Sequence, residues 1–426
     1  MTTAVQRGLA PARAVLSNGT VVIAKHSPAT PAVTVHASIR AGSEFDPPLL
    51  AGVSHFVSKT IDRGTATRVA ARIADEFEDR GVSLAITINR HAMWLICTCL
   101  VEDLDPILEL LADVITHPVF PGDEVETKRG EITTLIRQDE DSPAIVAAEG
   151  LMADLYGPSH PYGRRPRGSV ETVEKIDDAA LRAFYAERFR PASLSLVLVG
   201  DIDAGRAIDT AARAFGGWQG PPPAASTLRE GPPAGGRRVR IVPMMNKAQV
   251  DIAYGFTSLR RSDPEYYAYW LMNNILGQYA IGGRLGDRIR EREGMAYYAL
   301  GSLDANVIPG PLTIRAGVSP DNVDRAVSAI DEELVSFAED GPTEKEMAES
   351  RQYLIGSMPR TLETNLGIAN YLQTEEFFGL GLDYDLRVPE LLAGVTRDAV
   401  IAAARRTLVP SRATIVIAGP YAGQGK

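Results

Sequence analysis

Hydrophobic residues recur along the chain with a period of about two residues in some segments and about 3.6 residues in others. The first period predicts strands and the second predicts amphipathic helices. Alternating apolar and polar residues predict strands at 20–26, 34–41, 82–89 and 92–100 in the first half, and at 237–242, 249–256 and 310–316 in the second. Apolar residues three and four positions apart predict helices at 52–61, 70–80, 104–115, 179–188, 264–276 and 397–407. Because neighbouring strands are joined by short turns and helices gather in separate stretches, the pattern indicates an α+β sandwich. We expect a mainly antiparallel sheet with helices packed on one face in each half.

Two segments with nearly the same pattern indicate an internal duplication. Residues 191–200 read PASLSLVLVG and residues 410–419 read PSRATIVIAG, an offset of 219 residues. Each is a short β-branched run that follows an amphipathic helix and closes on glycine. Residues 121–124 (PGDE) and 342–345 (PTEK) each open a long helix and repeat at an offset of 221. The chain is therefore predicted to hold two homologous α/β-sandwich domains.

A stretch rich in proline and glycine separates the two copies. Residues 217–224 read GWQGPPPA and residues 231–236 read GPPAGG. Proline cannot donate to a sheet ladder or continue inside a helix, so this stretch predicts an exposed, semi-rigid linker. We place the boundary at about residue 225, with an N-terminal domain of residues 1–224 and a C-terminal domain of residues 225–426.

Composition and charge exclude several classes of protein. The 426 residues carry 44 Lys and Arg against 54 Asp and Glu, a net charge of −10, and 45% of them are hydrophobic. This balance argues against a disordered chain, and the acidity argues against a protein that binds nucleic acid through its phosphates. No apolar run approaches the ~18 residues that a membrane span needs. The first ten residues lack the apolar core of a signal peptide, so we expect a cytoplasmic location, or a periplasmic one if a leader has been removed.

The two cysteines, Cys97 and Cys99, fall within the strand predicted at 92–100. Alternation along a strand places both side chains on the same face. A zinc ribbon would need two Cys-x-x-Cys pairs, and the sequence has neither. We therefore expect two buried thiols that serve as small core residues.

A motif with glycine and histidine follows the second predicted strand. Residues 40–44 read RAGSE, residues 51–59 read AGVSHFVSK and residues 63–65 read RGT. This arrangement resembles the N-terminal signature of the pitrilysin/insulinase family of inverzincin metallopeptidases, which includes the mitochondrial processing peptidase subunits. That signature is Ala-Gly-Ser, then Gly-x-x-His-x-x-Glu-His, then Gly-Thr. In the family, the two histidines on one helix face share a zinc ion, the glutamate between them activates the bound water, and a glutamate on a later helix is the third ligand.

The reactive groups of this motif are missing here. His55 occupies the first ligand position, Ser58 stands in place of the general base, and Lys59 replaces the second histidine. The family's spacing places Leu135 at the third ligand position. Lys59 would hold a cation about 4 Å from the metal, where two unit charges repel by about 4 kcal/mol at an effective dielectric of 20 and a divalent ion meets about twice that. We expect that this chain binds no zinc and hydrolyses no peptide on its own, and that His55 is left as a helix-packing residue.

The second half carries a different motif. Residues 282–285 read GGRL and residues 289–297 read IREREGMAY. A phosphate-binding loop would continue with lysine and Ser or Thr, and this one does not. The segment resembles the C-terminal signature of the same family, in which an arginine and a tyrosine seven residues later hold the substrate backbone and stabilise the oxyanion beside zinc. Arg290 and Tyr297 fall at that spacing, although without the resemblance they would be interpreted as a solvated helix residue and a strand core residue.

The resemblance covers nearly the whole chain and implies a function. Family members split into unlike subunits use one chain for zinc and another for the Arg/Tyr pair, and this chain resembles the second kind. It implies a non-catalytic subunit without cofactor, forming half of a clamshell, paired with a homologous zinc-bearing partner that cleaves unfolded peptides. An alternative is a catalytically inert structural or peptide-binding subunit of a larger assembly. A third hypothesis, an independent metallopeptidase, predicts zinc in the purified protein.

Substrate binding in the first half departs from the family as well. Family members bind peptide as an added strand along a sheet edge that carries Asn-Ala-x-Thr. The matching residues 81–87 read GVSLAIT, with Leu84 in place of asparagine. An edge strand pairs through its backbone and needs no side chain, so we expect an edge strand here that lacks the family's polar contact.

Overall fold

The computed structural model describes residues 8–233, 235–278 and 282–423. The strands in chain order are β1 (Ala12–Val15), β2 (Val21–His26), β3 (Ala32–Ile39), β4 (Ala85–Ile88), β5 (Met93–Leu100), β6 (Leu194–Gly200), β7 (Arg238–Pro243), β8 (Val250–Thr257), β9 (Ala296–Leu303), β10 (Pro311–Val318) and β11 (Thr414–Gly419).

The helices in chain order are α1 (Val53–Thr60), α2 (Ala70–Glu78), α3 (Leu104–Thr116), α4 (Gly122–Glu140), α5 (Pro143–Tyr156), α6 (Val170–Val173), α7 (Asp178–Arg188), α8 (Ala204–Phe215), α9 (Tyr266–Asn273), α10 (Gly283–Leu285), α11 (Val323–Asp340), α12 (Glu344–Thr361), α13 (Asn365–Phe378), α14 (Tyr384–Ala393) and α15 (Arg397–Thr407). Two π-helical segments, Asn274–Gln278 and Gly286–Arg292, lie on either side of α10 in the sequence. All predicted strands and helices are present with ends shifted by at most three residues, except that the last turn predicted at 264–276 is π-helical.

The strands form two sheets with the same design. The first has the order β1-β2-β6-β3-β5-β4, and the second has the order β7-β11-β8-β10-β9. In each sheet one pair is parallel, β2 with β6 and β7 with β11, and the other pairs are antiparallel. From β2 onward the order and the directions of the first sheet repeat in the second. The duplication and the mainly antiparallel α+β sandwich are therefore confirmed.

Helices cover both faces of the first sheet. On one face α1, α3, α7 and α8 pack against β2, β3 and β6 around a large apolar core. On the other face α13, from the second half of the chain, packs Leu372 against Val197 and Val199 of β6. The expected helical layer on one face is present, and α13 adds a second layer that the sequence pattern did not predict.

The second sheet has the same arrangement. Helix α5, from the first half of the chain, packs Leu151 against Ala253 of β8 and Val416 of β11. The next residue of β8, Tyr254, points to the opposite face and donates its hydroxyl proton to Asp331 of α11 at 3.0 Å. Helices α9, α11 and α15 lie on this second face.

The chain divides into two compact units that are discontinuous in sequence. The first holds the chain up to residue 136 together with 165–227 and 359–386, and the second holds 137–164, 228–358 and the chain from 387 onward. One division, at 227/228, lies close to the predicted boundary at about residue 225. The others place α5 with the second sheet and α13 with the first. The predicted boundary between residues 224 and 225 concerns the two copies of the duplicated sequence, which differ from these compact units, and it stays a prediction.

The two cysteines are core residues of β5, as predicted. Cys97 is 2% exposed and Cys99 is 4% exposed, and both are free thiols. Burial raises the pKa of each thiol to about 12. Such thiols are protonated and inert at neutral pH.

Candidate functional site

Helix α1 presents the residues at the first three positions of the zinc motif, and its start is fixed by the chain before it. The backbone N–H groups of Gly52 and Ser54 donate to the two carboxylate oxygens of Asp46 at 2.7 and 3.1 Å. Gly52 has a φ of 97°, and a Cβ there would lie 2.5 Å from the carbonyl oxygen of Arg167. Only glycine fits this position, because it tolerates the left-handed backbone and leaves room for the carbonyl.

His55 lies on the buried face of α1. Its side chain is 8% exposed, and its Nε2 has no hydrogen-bond partner among the described residues. Burial, followed by the positive charges of Lys59 and Arg167, lowers the pKa of His55 to about 3. The imidazole is therefore neutral at physiological pH, as a metal ligand would need, but cations surround it. Ser58, one turn on, donates its hydroxyl proton to the carbonyl oxygen of His55 at 2.6 Å.

Lys59 and Asp62 follow on the same helix and the turn after it. Lys59 is half-buried. Burial raises the pKa of Asp62, against the opposing charges of Arg63, Lys128 and Lys59. The carboxylate of Asp62 lies 3.2 Å from the guanidinium of Arg63. Positive charge therefore exceeds negative charge around the position that the family gives to the second zinc ligand.

Helix α4 lies beside α1 and carries the third ligand position. The guanidinium carbon of Arg129 is 5.3 Å from the centre of the Phe56 ring on α1, and its Nη1 donates to the carbonyl oxygen of Val173. Leu135, farther along α4, is 38% exposed and offers only carbon atoms. The acid one turn earlier, Glu131, is already paired with Lys128 at 2.8 Å.

The residues at these four positions do not fit a zinc ion. His55 supplies one nitrogen, whereas catalytic zinc takes three protein ligands and leaves a position for water. Ser58 is hydrogen-bonded to the backbone, Lys59 is a cation and Leu135 has no lone pair. The part of the chain that the structure describes also contains no group of three His, Cys, Asp or Glu residues placed to hold a metal.

The Gly-Thr part of the motif retains a structural role. Thr65 donates its hydroxyl proton to Asp113 of α3 at 2.7 Å, and Arg68 donates to the same carboxylate at 2.6 Å. Burial would raise the pKa of Asp113, but these hydrogen bonds lower it overall. The threonine therefore fastens the turn after α1 to α3, which explains its presence without any metal.

The segment that bears Arg290 is held by tight backbone contacts and ion pairs. Gly283 has a φ of 59°, and a Cβ there would lie 2.3 Å from the carbonyl oxygen of Ile275. Arg284 donates through Nε and Nη2 to the two carboxylate oxygens of Glu346 at 2.6 and 2.7 Å. Its guanidinium carbon also lies 4.8 Å from the centre of the Phe337 ring. The Gly-Gly-Arg-Leu part of the motif thus anchors this segment to α11 and α12.

Arg290 and Tyr297 lie on adjacent elements, the π-helical segment and β9. The guanidinium of Arg290 is 24% exposed and donates from Nε to Glu291 at 2.9 Å. It lines a cavity of about 1170 Å³ together with Asp287, Lys345 and other charged residues. Tyr297 is 85% exposed, and its hydroxyl forms no hydrogen bond within the described ranges. The structure therefore excludes a strand core position for Tyr297, and no hydrogen bond joins it to Arg290.

Strands β4 and β9 each lie at an edge of their sheet. The segment around Leu84 leads into β4, which is the edge strand of the first sheet, as predicted. Its counterpart in the second sheet, β9, is also an edge strand and carries Tyr297. Each edge has one side of its backbone unpaired by the sheet, which is the geometry that accepts an added strand.

Two family models match the chain and together take in most of it. Residues 21–162 match the insulinase family, peptidase family M16, and residues 175–354 match a domain described as the peptidase M16 inactive domain. The chain belongs to peptidase family M16. The expected resemblance is confirmed, and the M16 match to the first half contains the degenerate motif of α1 and α4.

Two bacterial proteins of similar sequence match most of the chain. An uncharacterized zinc protease of Mycobacterium leprae is 28% identical over 97% of this chain and 92% of its own length. One from Bacillus subtilis is 25% identical over 88% of this chain and 90% of its own length. The second match begins at residue 175, before the predicted boundary, and continues to residue 354, so it contains both Arg290 and Tyr297.

Crystal structures share the M16 fold described above. A peptidase M16 inactive domain from Pseudomonas fluorescens has a TM-score of 0.90 at 24% identity and covers 97% of this chain and 99% of its own. A protease from Helicobacter pylori has a TM-score of 0.87 at 17% identity over 97% and 100%. None of the helices described here is long and apolar enough to cross a bilayer.

Proposed function

We propose that this M16 chain is the non-catalytic subunit of a heterodimeric zinc metalloendopeptidase. It donates Arg290 and Tyr297 to a homologous zinc-bearing partner, which cleaves unfolded peptides. The observation that carries the proposal is the exposure of Tyr297, whose phenol is 85% exposed at the sheet edge in a chain whose zinc positions hold serine, lysine and leucine. A tyrosine without intramolecular hydrogen bonds is available to a group outside the chain.

The chemistry of the pair suits a carbonyl that gains negative charge. A guanidinium and a phenol both donate hydrogen bonds, and one donor of this kind contributes about 3–4 kcal/mol to transition-state stabilisation. Arg290 must first leave Glu291, which is 60% exposed. An ion pair with such an exposed partner is worth only about 0–1 kcal/mol, so a substrate carbonyl can displace it at low cost.

An edge strand binds an extended chain, so the substrate class that we propose is an unfolded peptide. A chain added along β9 would pair through its backbone, which a folded substrate cannot offer. Tyr297 is the second residue of β9 and lies close to the incoming strand in this arrangement. Leu84 next to β4 lacks the family's asparagine, which supports a minor role for the first repeat in holding the scissile bond.

The zinc must then come from the partner. His55 alone cannot bind catalytic zinc, and Ser58 is a poor base for activating water. In this arrangement the present chain supplies donors and no cofactor, and the partner supplies the metal, its ligands and the general base.

The test is reconstitution of peptide cleavage. The chain is mixed with a homologue from the same organism that carries an intact His-x-x-Glu-His, and kcat/KM is measured on an unfolded peptide. Arg290→Ala and Tyr297→Phe are each expected to lower kcat/KM by about 10²–10³ while the complex still forms. Arg292→Ala, two residues from Arg290 and 74% exposed, is the matched control and should have little effect.

The outcome that contradicts this role is equally clear. If both variants form the complex and cleave at the wild-type rate, the Arg/Tyr pair has no part in catalysis. The chain would then be a catalytically inert structural or peptide-binding subunit, which is the second candidate.

A further inference from the structure

The degenerate zinc position holds a cation without a partner. Lys59 is half-buried, and its ammonium group makes no hydrogen bond and no ion pair within residues 8–233, 235–278 and 282–423. Its Nζ is not among the unpartnered polar atoms that the protein covers, so water reaches the ammonium group. An anion from outside the chain can reach it in the same way and form a charge-assisted hydrogen bond.

A second unpartnered polar group lies one helical turn before Lys59. Residues four apart on a helix lie on the same face, which places the His55 ring beside the lysine side chain. His55 is more than nine-tenths buried, and none of the residues that the structure describes forms a hydrogen bond with its Nε2. In the tautomer with its proton on Nε2, this atom is a donor that nothing in the described chain accepts.

The surrounding charges favour an anion and disfavour a metal. The segment of Arg167 packs on the start of α1 at Gly52, and its positive charge acts on His55. The acids nearby already have cationic partners, since Asp62 lies 3.2 Å from Arg63 and Glu131 lies 2.8 Å from Lys128. Lys59 also acts on Asp62, but no ion pair joins the two groups.

We propose that the former zinc position of this chain is a carboxylate-binding site. The ammonium of Lys59 is the counter-ion, the Nε2–H of His55 is the second donor, and Arg167 adds positive potential. Because Nε2 is covered, the carboxylate contacts Lys59 first and reaches His55 after a small side-chain movement. Where the family has a histidine that binds a metal cation, this chain has Lys59, whose side chain is itself a cation. The ligand that suits this position is therefore an anion. This proposal does not depend on the role of Arg290 and Tyr297.

Binding is measured on the full chain with acetate as the probe. The protein has six histidines, so labelling of the histidine Cε1 carbons gives a simple NMR spectrum, and a His55→Gln variant assigns the signal of His55. Acetate replaces chloride at constant ionic strength. The His55 signal is expected to shift and to saturate in the millimolar range, whereas the signal of His26, whose side chain is 54% exposed, should not saturate.

Variants of Lys59 decide whether the site is responsible. Lys59→Met is expected to weaken acetate binding about tenfold or more, and Lys59→Arg should retain it. Lys345→Met is the matched control, since Lys345 is 81% exposed on another helix, and it should bind acetate as the wild type does. Thermal unfolding checks that each variant is folded, and Lys59→Gln replaces Lys59→Met if the latter is not.

Two further arms identify the source of the carboxylate and test the metal. Displacement of acetate by a peptide with a free C-terminus, but not by its amide, assigns the ligand as a peptide end. Failure of both peptides assigns it as a small free acid, and either result supports the site. The proposal is wrong if the His55 signal fails to saturate, if Lys59→Met binds as the wild type does, or if zinc binds at His55 with one-to-one stoichiometry.

Discussion

From β2 onward the two repeats have the same strand order and the same strand directions, yet they differ in what they retain of their motifs. In the first repeat, Gly52 and Thr65 keep the backbone around α1 in place, while the positions that would touch a metal hold Ser58, Lys59 and Leu135. In the second repeat, Arg284 anchors its segment, and the motif positions still hold Arg290 and Tyr297. The first motif therefore keeps only its backbone-shaping residues, whereas the second also keeps the arginine and the tyrosine at the family's spacing.

The means of anchoring also differ between the repeats. Helix α1 is held by buried contacts, with Phe56 fully buried in a large apolar core. The segment of Arg290 is held mainly by ion pairs, in which Arg284 and Arg288 meet glutamates of α11 and α12. The first repeat should therefore respond most to changes of shape, and the second to changes of charge and pH.

The largest expected effect comes from restoring the zinc ligands in the first repeat. If only the reactive groups were lost, the triple variant Ser58→Glu, Lys59→His and Leu135→Glu should bind zinc one-to-one, while the wild type binds none at the same concentration. The reason is that α1 and α4 still lie side by side, joined by the contact of Arg129 with Phe56. Equilibrium dialysis with metal analysis measures the stoichiometry.

A matched control makes this result specific. The double variant Ser58→Glu and Lys59→His lacks the third ligand and should bind zinc much more weakly. Equal weak binding by the double and triple variants would show that α4 no longer holds position 135 within reach, and that the scaffold has changed along with the ligands.

A smaller effect is expected from shape changes at glycines of the first repeat. Gly52→Ala should lower the free energy of unfolding by about 2–4 kcal/mol, because alanine is strained at a positive φ and its Cβ would meet the carbonyl oxygen of Arg167. Gly130→Ala, in the interior of α4 with open space around it, should instead raise that free energy by about 0.5–1 kcal/mol. Urea unfolding of the two variants measures both values, and a loss at Gly52 no larger than the gain at Gly130 would contradict a rigidly fixed α1.

The smallest effect is a pH dependence in the second repeat. Burial by itself would raise the pKa of Glu346. The hydrogen bonds from Arg284 and Thr343 outweigh burial and lower this pKa to about 2 from its usual 4.5. A depressed pKa stabilises the fold above the unfolded value and loses that contribution as the pH falls toward the folded value. Glu346→Gln should therefore cost about 2 kcal/mol at pH 7, and the difference from the wild type should shrink between pH 4.5 and 2.

The partner of the ion pair provides the control for this prediction. In an Arg284→Ala background, Glu346→Gln should cost much less, because the hydrogen bonds that lower the pKa of Glu346 are gone. Urea unfolding at several pH values measures the cycle. A difference between wild type and Glu346→Gln that stays constant from pH 7 to pH 3 would contradict the electrostatic anchoring of this segment.

Much of this molecule could be predicted from local patterns in the sequence. The strands, most helices, the repeat and the family follow from periodicity and motif spacing, because each depends on residues that are close in the chain. The placement of His55, Ser58 and Lys59 on one helix follows in the same way. The four-residue strand β1 is not among the predicted strands, although the turn at Asn18-Gly19 marks the hairpin that joins it to β2.

The rest depends on contacts between distant parts of the chain. Helices α5 and α13 were not predicted, because apolar residues are spread around both helices rather than gathered on one side. Local sequence also does not show that each helix covers the sheet of the other repeat. The ion pair of Arg284 with Glu346 joins residues 62 positions apart, and charged residues on helices are usually solvated. The π-helical segment before Tyr297 also has no clear sequence signature, since i to i+5 pairing does not change the composition.

The crossing of α13 to the first sheet has a consequence for biosynthesis. A ribosome releases the chain from its N-terminus, so the outer strip of Ile23, Val197 and Val199 is made long before α13 exists to cover it. A nascent chain that ends after the first repeat therefore exposes this apolar surface to water. Folding intermediates with exposed apolar surface aggregate or recruit chaperones. The first sheet therefore receives this outer helix only when translation has nearly finished.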